Sequence, residues 1–305
     1  IAYNIERGHR MKTVGLLGVP MDLGQERRGV DMGPSAIRYA GVEQCLLDLN
    51  YDVIDYGDIV VQGRCPSQVG DKNLKNLTSV VEASLHVKES VLRMLSDGVF
   101  PLILGGDHSI SIGTLAAIND SKKNIGVIWY DAHGDLNIPE TSPSGNIHGM
   151  PLAVNLGLGH SLLTSIGSNN IKPENIVLIG IRSLDDGEKA LIHKLGIKAF
   201  TMHEIDKLGM TTVIEQTIDH LKGTDGVHLS LDLDALDPIE CPGVGTPVRG
   251  GITYRESHLA MELLAESNLI TSAEFVEVNP ILDDRNKTAE VAVALIGSLF
   301  GAKLL

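Results

Sequence analysis

The sequence contains few cysteines and no hydrophobic segment long enough to cross a membrane. Its three cysteines, Cys45, Cys65 and Cys241, are odd in number and widely spaced. This usage predicts a reducing compartment without a disulfide framework, so we expect a cytoplasmic protein. The apolar run 291–300 is interrupted by glycine and serine and is too short to span a bilayer. No signal-type hydrophobic segment opens the sequence, and no membrane partner is expected.

Signatures for binding nucleotides and nucleic acids are also missing. No G-x-G-x-x-G follows a predicted strand and no P-loop G-x-x-x-x-G-K occurs, which argues against a nucleotide cofactor. The formal net charge is −14, whereas binding to a phosphate backbone requires a basic face, so no nucleic-acid partner is expected. A small cationic substrate fits this charge better.

The chain has no linker rich in proline, glycine or serine and no repeat of fixed period. Its 305 residues are 43% hydrophobic, which is enough to bury one substantial core. Residues 1–10 show no periodicity, and Met11 offers a plausible start. We therefore interpret residues 1–10 as a leader or expression remnant and predict a single domain over residues 11–305.

Short apolar runs alternate with longer helical patterns along this domain. The predicted strands are residues 13–19, 52–55, 101–104, 125–131, 176–181, 197–202, 227–233 and 273–278. The predicted helices are residues 34–50, 77–97, 109–119, 211–222, 254–267 and 288–304. This alternation predicts right-handed crossovers and a parallel sheet covered by helices on both faces. The pattern alone leaves a closed eight-stranded barrel open as an alternative.

The stretch Asp131-Ala-His133-Gly-Asp135 follows the predicted strand 125–131 and carries three metal-capable side chains at alternate positions. In an extended chain, alternate side chains share one face. We therefore expect Asp131, His133 and Asp135 to converge on one point where the strand ends.

Two other strand ends carry the same types of side chain. Asp232 and Asp234 lie at alternate positions at the end of the predicted strand 227–233, and His108 follows strand 101–104. In open parallel sheets, ligands bind beyond the carboxyl ends of the strands. All three groups are expected at that edge.

Together these strand ends offer four carboxylates and two imidazoles. Without cations, packing them together would place like charges within a few Å of each other. A thiol-free set rich in oxygen favours Mn²⁺ or a similar borderline metal over a cysteine-type zinc site. Four carboxylates balance two divalent ions, and two ions roughly 3.5 to 4 Å apart would bind a shared water and lower its pKa.

Three segments resemble the signatures of a known family, the ureohydrolases, and within them the bacterial-type arginases. In order they are Gly105-Gly-Asp-His108-Ser, Asp131-Ala-His133-Gly-Asp135 and Ser230-Leu-Asp232-Leu-Asp234-Ala-Leu-Asp237-Pro. The resemblance runs from about residue 14 to the C terminus and implies an α/β fold, a three-layer α/β/α sandwich with an eight-stranded parallel sheet. It also implies a centre of two Mn²⁺ per subunit held by His108, Asp131, His133, Asp135, Asp232 and Asp234.

The resemblance assigns catalytic roles that spacing does not reveal. His148, in Asn146-Ile-His148-Gly, is similar to a histidine that shuttles protons, and Glu277, in Val-Glu277-Val-Asn-Pro, is similar to a carboxylate that pairs with the substrate guanidinium. Asp135 is implied to relay a proton to the leaving amine. Judged without the resemblance, His148 is an ordinary loop histidine and Glu277 a solvated carboxylate at a strand end.

The implied reaction is hydrolysis of L-arginine to L-ornithine and urea. Arginine carries an α-carboxylate that agmatine lacks, so its recognition requires neutral donors for that group and an acceptor for the α-ammonium. The positions similar to the carboxylate-binding ones are Asn137, Ser144 and Asn146. Asp185 and Glu188 are similar to the positions at the ammonium end, and Thr246 to a residue at the site margin.

Three residues depart from the family pattern or stand out within it. Ser183 occupies a position where many arginases have aspartate, which predicts less negative charge near Asp185. Cys241 and Arg249 lie in the segment after Asp234. We interpret Cys241 as a small buried filler and Arg249 as a surface charge.

Two alternative functions remain open from the sequence. One is a related ureohydrolase that acts on agmatine or another guanidino compound, which the presence of Asn137, Ser144 and Asn146 disfavours. The other is a non-catalytic metal-binding assembly or regulatory subunit, which would have no use for a proton shuttle such as His148. Because family members commonly form trimers or hexamers, the resemblance also implies a homo-oligomer, and we expect a homohexamer.

Overall fold

A computed structural model describes residues 13–62 and 73–304 of the chain. Eight strands form one sheet in the order β2-β1-β3-β8-β7-β4-β5-β6, and every neighbouring pair is parallel. The strands are β1 (Thr13–Val19), β2 (Asp52–Asp58), β3 (Phe100–Gly105), β4 (Gly126–Tyr130), β5 (Ile176–Ile181), β6 (Lys198–Thr201), β7 (Val227–Asp232) and β8 (Ile270–Val276). The interpretations of residues 1–10 and of Cys65 fall outside the described residues.

Eleven α-helices lie within the described ranges and cover both faces of the sheet. They are α1 (Gly33–Tyr39), α2 (Val42–Asp48), α3 (Leu77–Ser96), α4 (Ser111–Ser121), α5 (Pro151–Asn155), α6 (Ser161–Thr164), α7 (Asp186–Leu195), α8 (Met202–Leu208), α9 (Met210–Leu221), α10 (Tyr254–Ser267) and α11 (Lys287–Leu299). Helices α1, α2 and α8 to α11 pack on one face, and α3 to α7 pack on the other. The open sheet with two helical layers excludes the barrel.

Two apolar cores separate the sheet from its helical layers. Strands β3, β4, β5 and β7 are buried at every position, as expected for a parallel sheet covered on both sides. Because successive side chains alternate between faces, Trp129 belongs to one core and Tyr130 to the other. Among the described helices, none is both long and apolar enough to cross a membrane.

Several predicted boundaries were wrong. The helix predicted at 34–50 is two helices, because Gly41 has a left-handed φ of 94° between them. The strand predicted at 273–278 ends at Val276, and Glu277 turns away with φ of 66°. The helix predicted at 288–304 ends at Leu299. The strand predicted at 52–55 continues to Asp58.

Helices α5 to α8 were not predicted from the sequence. The signal for two of them is a capping box, in which the N-cap side chain and a glutamate three residues on satisfy the first free N–H groups. Asp185 with Glu188 begins α7 this way, and Thr201 with Glu204 begins α8. The strand predicted at 197–202 therefore ends at Thr201.

The topology brings the predicted signatures together. Strands β3, β8, β7 and β4 are consecutive neighbours at the centre of the sheet. Their carboxyl ends lead directly to His108, Glu277, the Asp232 pair and the Asp131 group. The edge predicted to bind ligand is thus built from four adjacent strand ends.

Candidate metal centre and substrate cavity

The three signature segments leave their strands in tight turns rather than as extended chain. β4 ends at Tyr130, one residue before Asp131, and Asp135 has a left-handed φ of 50°. Asp234 lies in a short 3₁₀ turn capped by Asp232, whose carboxylate accepts the Asp234 N–H at 2.7 Å. The side chains converge as predicted. Their directions are set by the backbone turns, however, and not by alternation along an extended strand.

Five of the six metal-capable side chains form two groups that share Asp131, and the sixth, Asp232, contacts the first group through His108. One group is His108, Asp131 and Asp135, all buried, and the other is Asp131, His133 and Asp234. His108 Nδ1 lies 3.0 Å from Asp131 Oδ2, 3.0 Å from Asp135 Oδ2 and 3.3 Å from Asp232 Oδ2. His133 Nδ1 lies 3.4 Å from Asp131 Oδ1 and 3.2 Å from Asp234 Oδ2. Asp131 therefore turns one oxygen toward each group.

Two atoms at the centre of the first group are buried without a hydrogen-bond partner. They are His108 Nδ1 and Asp131 Oδ2. Buried polar groups are nearly always paired, because leaving one unpaired costs about 1–3 kcal/mol. A cation coordinated by both atoms removes this penalty, so the donor set fits a metal.

The acidity of the four carboxylates also indicates crowded negative charge. Burial and the Asp131 charge raise the pKa of Asp135 to about 6. Burial, together with Asp234 and Asp131, raises the pKa of Asp232 well above its usual value, and burial raises that of Asp234. Burial opposes ionisation of Asp131 as well, but the charges of the neighbouring His108 and His133 hold its pKa well below the usual range. Divalent cations would keep all four ionised.

Glu277 is buried and held by three donors. The His108 N–H donates to Oε1 at 3.0 Å, His148 Nδ1 lies 3.1 Å from the same oxygen, and Gln25 Nε2 donates to Oε2 at 2.8 Å. Burial would raise the Glu277 pKa, but the hydrogen bond and charge of His148 hold it below its usual value. Glu277 is thus a fixed, ionised carboxylate rather than a solvated one. Gln25 was not identified from the sequence.

His148 connects this carboxylate to the cavity. Its side chain is 17% exposed, while that of Glu277 is 1% exposed. Burial lowers the His148 pKa, but the Glu277 carboxylate outweighs this and raises it to about 9. The ring therefore sits between the buried acid and solvent, where an exchangeable proton is useful.

A cavity of about 230 Å³ opens above the metal-capable groups. Its walls include every predicted substrate residue except Glu277, namely Asn137, Ser144, Asn146, Asp185, Glu188 and Thr246, together with His148. Ser142, Pro143 and Gly149 complete the wall and were not predicted. The volume suits a small molecule the size of an amino acid.

The predicted ammonium end is built around the start of α7. Asn137 Nδ2 donates to Asp185 Oδ2 at 2.8 Å. Glu188 accepts the N–H groups of Asp185 at 2.8 Å and Leu136 at 3.1 Å, and burial raises its pKa to about 7. The helix cap therefore fixes Glu188 and Asp185 relative to each other on one side of the cavity.

Ser144 and Asn146, two of the three predicted carboxylate-binding residues, also line the cavity. Ser144 Oγ accepts the Asn146 N–H at 3.2 Å, and Asn146 Oδ1 accepts from Lys75 Nζ at 3.3 Å. Lys75 also pairs with Glu26 at 2.6 Å. Thr246 donates to Asp234 Oδ2 at 3.0 Å, which ties the cavity margin to the second metal-capable group.

The residues that stand out from the family pattern occupy ordinary structural positions. Cys241 is buried in the apolar core as a free thiol, and burial raises its pKa, as the filler interpretation predicts. Arg249 is exposed. Ser183 is partly buried, and its N–H donates to the Ala132 carbonyl at 3.0 Å.

Arg182 organises the loop that carries Thr246, a role with no sequence signal. Its guanidinium donates to the backbone carbonyl oxygens of Gly180, Asp234, Ala235, Leu236 and Val248. The shortest of these bonds, to Asp234 and Val248, measure 2.7 and 2.8 Å. One planar cation thereby joins the end of β5 to both ends of the loop after β7.

Replacing Arg182 with alanine is expected to destabilise the fold. Several carbonyls lose their donor at once, so we expect a loss of about 3 kcal/mol or more in the free energy of unfolding. The measurement is urea denaturation of the purified variant. Arg255→Ala, which removes a guanidinium that is 73% exposed, is the control and should leave stability unchanged. Equal stability of the Arg182 variant and the wild type would contradict the assigned role.

Comparison with known proteins agrees with the geometry. A sequence model described as the Arginase family matches residues 12–301. An arginase from Bacillus caldovelox is 64% identical over 97% of this chain and 100% of its own, and a native structure of that species' arginase matches with a TM-score of 0.95 over the same shares. An arginase from Bacillus subtilis strain 168 is 60% identical over 96% of this chain and 99% of its own.

A more distant solved structure matches equally fully. It is the arginase of Entamoeba histolytica in complex with L-ornithine, which is 35% identical, covers 96% of this chain and 100% of its own, and has a TM-score of 0.90. The three signatures, the eight-stranded parallel sheet and these matches agree. The chain belongs to the arginase family, and it is a hydrolase of that family.

Proposed function

We propose that this protein hydrolyses L-arginine to L-ornithine and urea, with two Mn²⁺ ions per subunit as its cofactor. The observation that carries the proposal is the convergence of four carboxylates and two imidazoles at the floor of an amino-acid-sized cavity. The family membership supports the reaction. The ornithine bound to the Entamoeba histolytica arginase supports the product.

In this proposal one cation would be held by His108, Asp131, Asp135 and Asp232, and the other by Asp131, His133 and Asp234. When bound, divalent cations lower the pKa of a shared water and offset the negative charge that develops during hydrolysis. The unpartnered Nδ1 of His108 and Oδ2 of Asp131 support the first assignment.

The protein side chains supply orientation and proton transfer. Glu277 binds the guanidinium through a carboxylate that three donors hold in one place, which keeps the reacting carbon over the metal-capable groups. Asp135 passes a proton to the leaving amine, and His148 exchanges protons with solvent. Asn137, Ser144 and Asn146 bind the α-carboxylate, while Asp185 and Glu188 serve the α-ammonium, with Thr246 at the margin.

The test is urea release from the Mn²⁺-loaded protein with L-arginine and agmatine compared side by side. We expect a large preference for arginine in kcat/KM, because agmatine leaves the α-carboxylate donors unpaired. A preference for agmatine would replace the proposed substrate but keep the reaction class. Metal-loaded protein that releases no urea from any guanidino compound would support a non-catalytic metal-binding assembly instead.

Asn137→Ala is expected to weaken recognition of the α-amino-acid end. Removing the amide deletes one donor for the substrate carboxylate and frees Asp185, so we expect the arginine KM to rise about tenfold, the amount that 1.4 kcal/mol of lost binding represents. The agmatine KM should change little, and steady-state kinetics with both substrates measure the difference. Asn124→Ala is the control, because Asn124 does not line the cavity and bonds to Lys172 instead. An equal loss for both substrates would contradict the assignment.

We also propose that the protein acts in the cytoplasm as a homo-oligomer, a hexamer or a trimer. The two free thiols in the described residues support a reducing compartment. Light scattering coupled to size-exclusion chromatography gives the mass of the particle. A mass equal to one chain of 32.7 kDa would contradict the oligomer.

A further inference from the structure

A buried carboxylate outside the cavity lies directly behind the proposed metal ligand His108. Glu274 is on β8, opposite Ser230 of β7 in the strand register, and its side chain is completely buried. It is not among the residues assigned to metal or substrate. Burying a carboxylate in a sheet is costly unless it is paired, so its contacts are informative.

Three side chains surround one oxygen of this carboxylate. Glu274 Oε1 accepts a hydrogen bond from Ser230 Oγ at 2.7 Å and another from Ser111 Oγ. His228 Nε2 lies 3.4 Å from the same oxygen, and its Nδ1 lies 2.9 Å from Ser272 Oγ. Burial would raise the Glu274 pKa, but the nearby His228 outweighs it and lowers the pKa to about 2. Two serine hydroxyls donate to Oε1, so Glu274 is the hydrogen-bond acceptor of both.

This fixes the direction of the next hydrogen bond. A serine hydroxyl has one proton, and in Ser230 that proton is directed to Glu274. The 2.8 Å contact between Ser230 Oγ and His108 Nε2 is then made by an Nε2–H group donating to the serine oxygen. A neutral ring protonated at Nε2 has its lone pair on Nδ1, the atom that faces Asp131, Asp135 and Asp232.

We propose that Glu274 is a positioning residue that, through Ser230, holds His108 as the Nε2–H tautomer with Nδ1 free to bind metal. The inference rests on the metal centre of the proposed function. The face of Trp129 stacks on the ring of His108 at 4.1 Å between centroids and 5° between planes, and so restrains the ring plane. Trp129 cannot select the tautomer, whereas the Glu274–Ser230 pair can.

Removing the acceptor should release the serine proton. In a Glu274→Leu variant, the Ser230 hydroxyl can donate to His108 Nε2, which stabilises the ring with its proton on Nδ1 and blocks the metal. Partners of metal-binding histidines typically contribute about 10- to 100-fold to metal affinity. We therefore expect the affinity of one of the two Mn²⁺-binding steps to fall by about that factor. Glu274→Gln keeps an acceptor oxygen and should restore most of the affinity.

The experiment titrates the metal-free protein with Mn²⁺ alone by calorimetry. Ser111→Ala removes the other serine donor to Glu274 without touching His108, so it is the matched control and should bind Mn²⁺ like the wild type. Combining Glu274→Leu with Ser230→Ala should cost no more affinity than Ser230→Ala alone, because both act through one hydrogen bond. A purely structural role would instead give additive losses and would overturn the inference, as would wild-type affinity in Glu274→Leu.

A second measurement does not depend on how the leucine variant folds. In wild-type protein labelled with ¹⁵N-histidine and loaded with diamagnetic Zn²⁺, the His108 nitrogen shifts should report a proton on Nε2 and none on Nδ1. A ring protonated at Nδ1 would overturn the inference. Because neither experiment uses substrate, failure of the proposed reaction shows up separately, as wild-type protein that binds metal but releases no urea.

Discussion

Asp131→Ala is expected to remove both metal sites and nearly all activity. Asp131 is the one carboxylate shared by the two groups, with Oδ2 at 3.0 Å from His108 and Oδ1 at 3.4 Å from His133. Catalytic cations supply several kcal/mol of transition-state stabilisation. Since each 1.36 kcal/mol is a factor of ten, we expect kcat to fall about 10³-fold or more. The measurement is the metal content after dialysis, together with urea release.

Asp237→Ala is the matched control for this substitution. Asp237 lies in the same signature segment, but its carboxylate accepts the N–H groups of Ile239, Gly250 and Gly251 and contacts no metal-capable histidine. Its loss should loosen the loop and lower stability while Mn²⁺ stays bound. Unchanged Mn²⁺ content in Asp131→Ala would refute the proposed centre.

Glu277→Gln is expected to reduce activity strongly while leaving metal binding intact. The amide keeps the size of the side chain but loses the charge that pairs with guanidinium. Removing one partner of a buried charge pair costs about 2–5 kcal/mol, which predicts a fall in kcat/KM of about 30- to 5,000-fold. Kinetics with L-arginine measure the loss, and Mn²⁺ titration checks that the centre is intact.

Glu256→Gln is a suitable comparison for this variant. Glu256 is half-buried and forms the capping box of α10 with Thr253, so Glu256→Gln should leave kcat/KM unchanged. If Glu277→Gln retained wild-type kcat/KM, the guanidinium would have to be bound elsewhere. If it lost Mn²⁺ as well, Glu277 would be a structural support of the centre rather than a substrate ligand.

The chemistry of the centre could be predicted from the sequence because metal binding needs particular residue types. Strand ends marked by apolar runs locate the carboxyl edge of the sheet, and aspartate and histidine at alternate positions identify the donors. The reason for their convergence was nevertheless wrong. Asp135 contacts His108 from a left-handed turn. Aspartate tolerates this conformation, but the presence of an aspartate does not predict it.

Contacts between distant segments were not predictable from one sequence. Gln25 donates to Glu277 across 252 residues, and nothing in the local sequence marks either as a partner of the other. The partners of Arg182 are backbone carbonyls, which every residue has, so they leave no pattern. Glu274 stands among apolar neighbours on β8, where only the packed sheet reveals that Ser230 lies opposite.

Some helices were not predicted for a related reason. Short helices such as α7 lack enough turns to show an apolar periodicity, and the cap residues that begin α7 were assigned only to substrate binding. The structure indicates that Glu188 has a structural contact as well, since it caps the helix and accepts the Leu136 N–H. Asp185 and Glu188 therefore both cap the helix and line the cavity.

We propose that hydrolysis depends on two cations held by these six side chains. The most direct test is a titration of chelator-treated protein with Mn²⁺, in which bound metal per chain and urea release from L-arginine are measured on the same samples. The proposed function predicts that activity is absent without metal, rises with occupancy and reaches its plateau at two Mn²⁺ per chain. Full activity in metal-free protein, or a plateau with no more than one ion bound, would contradict it.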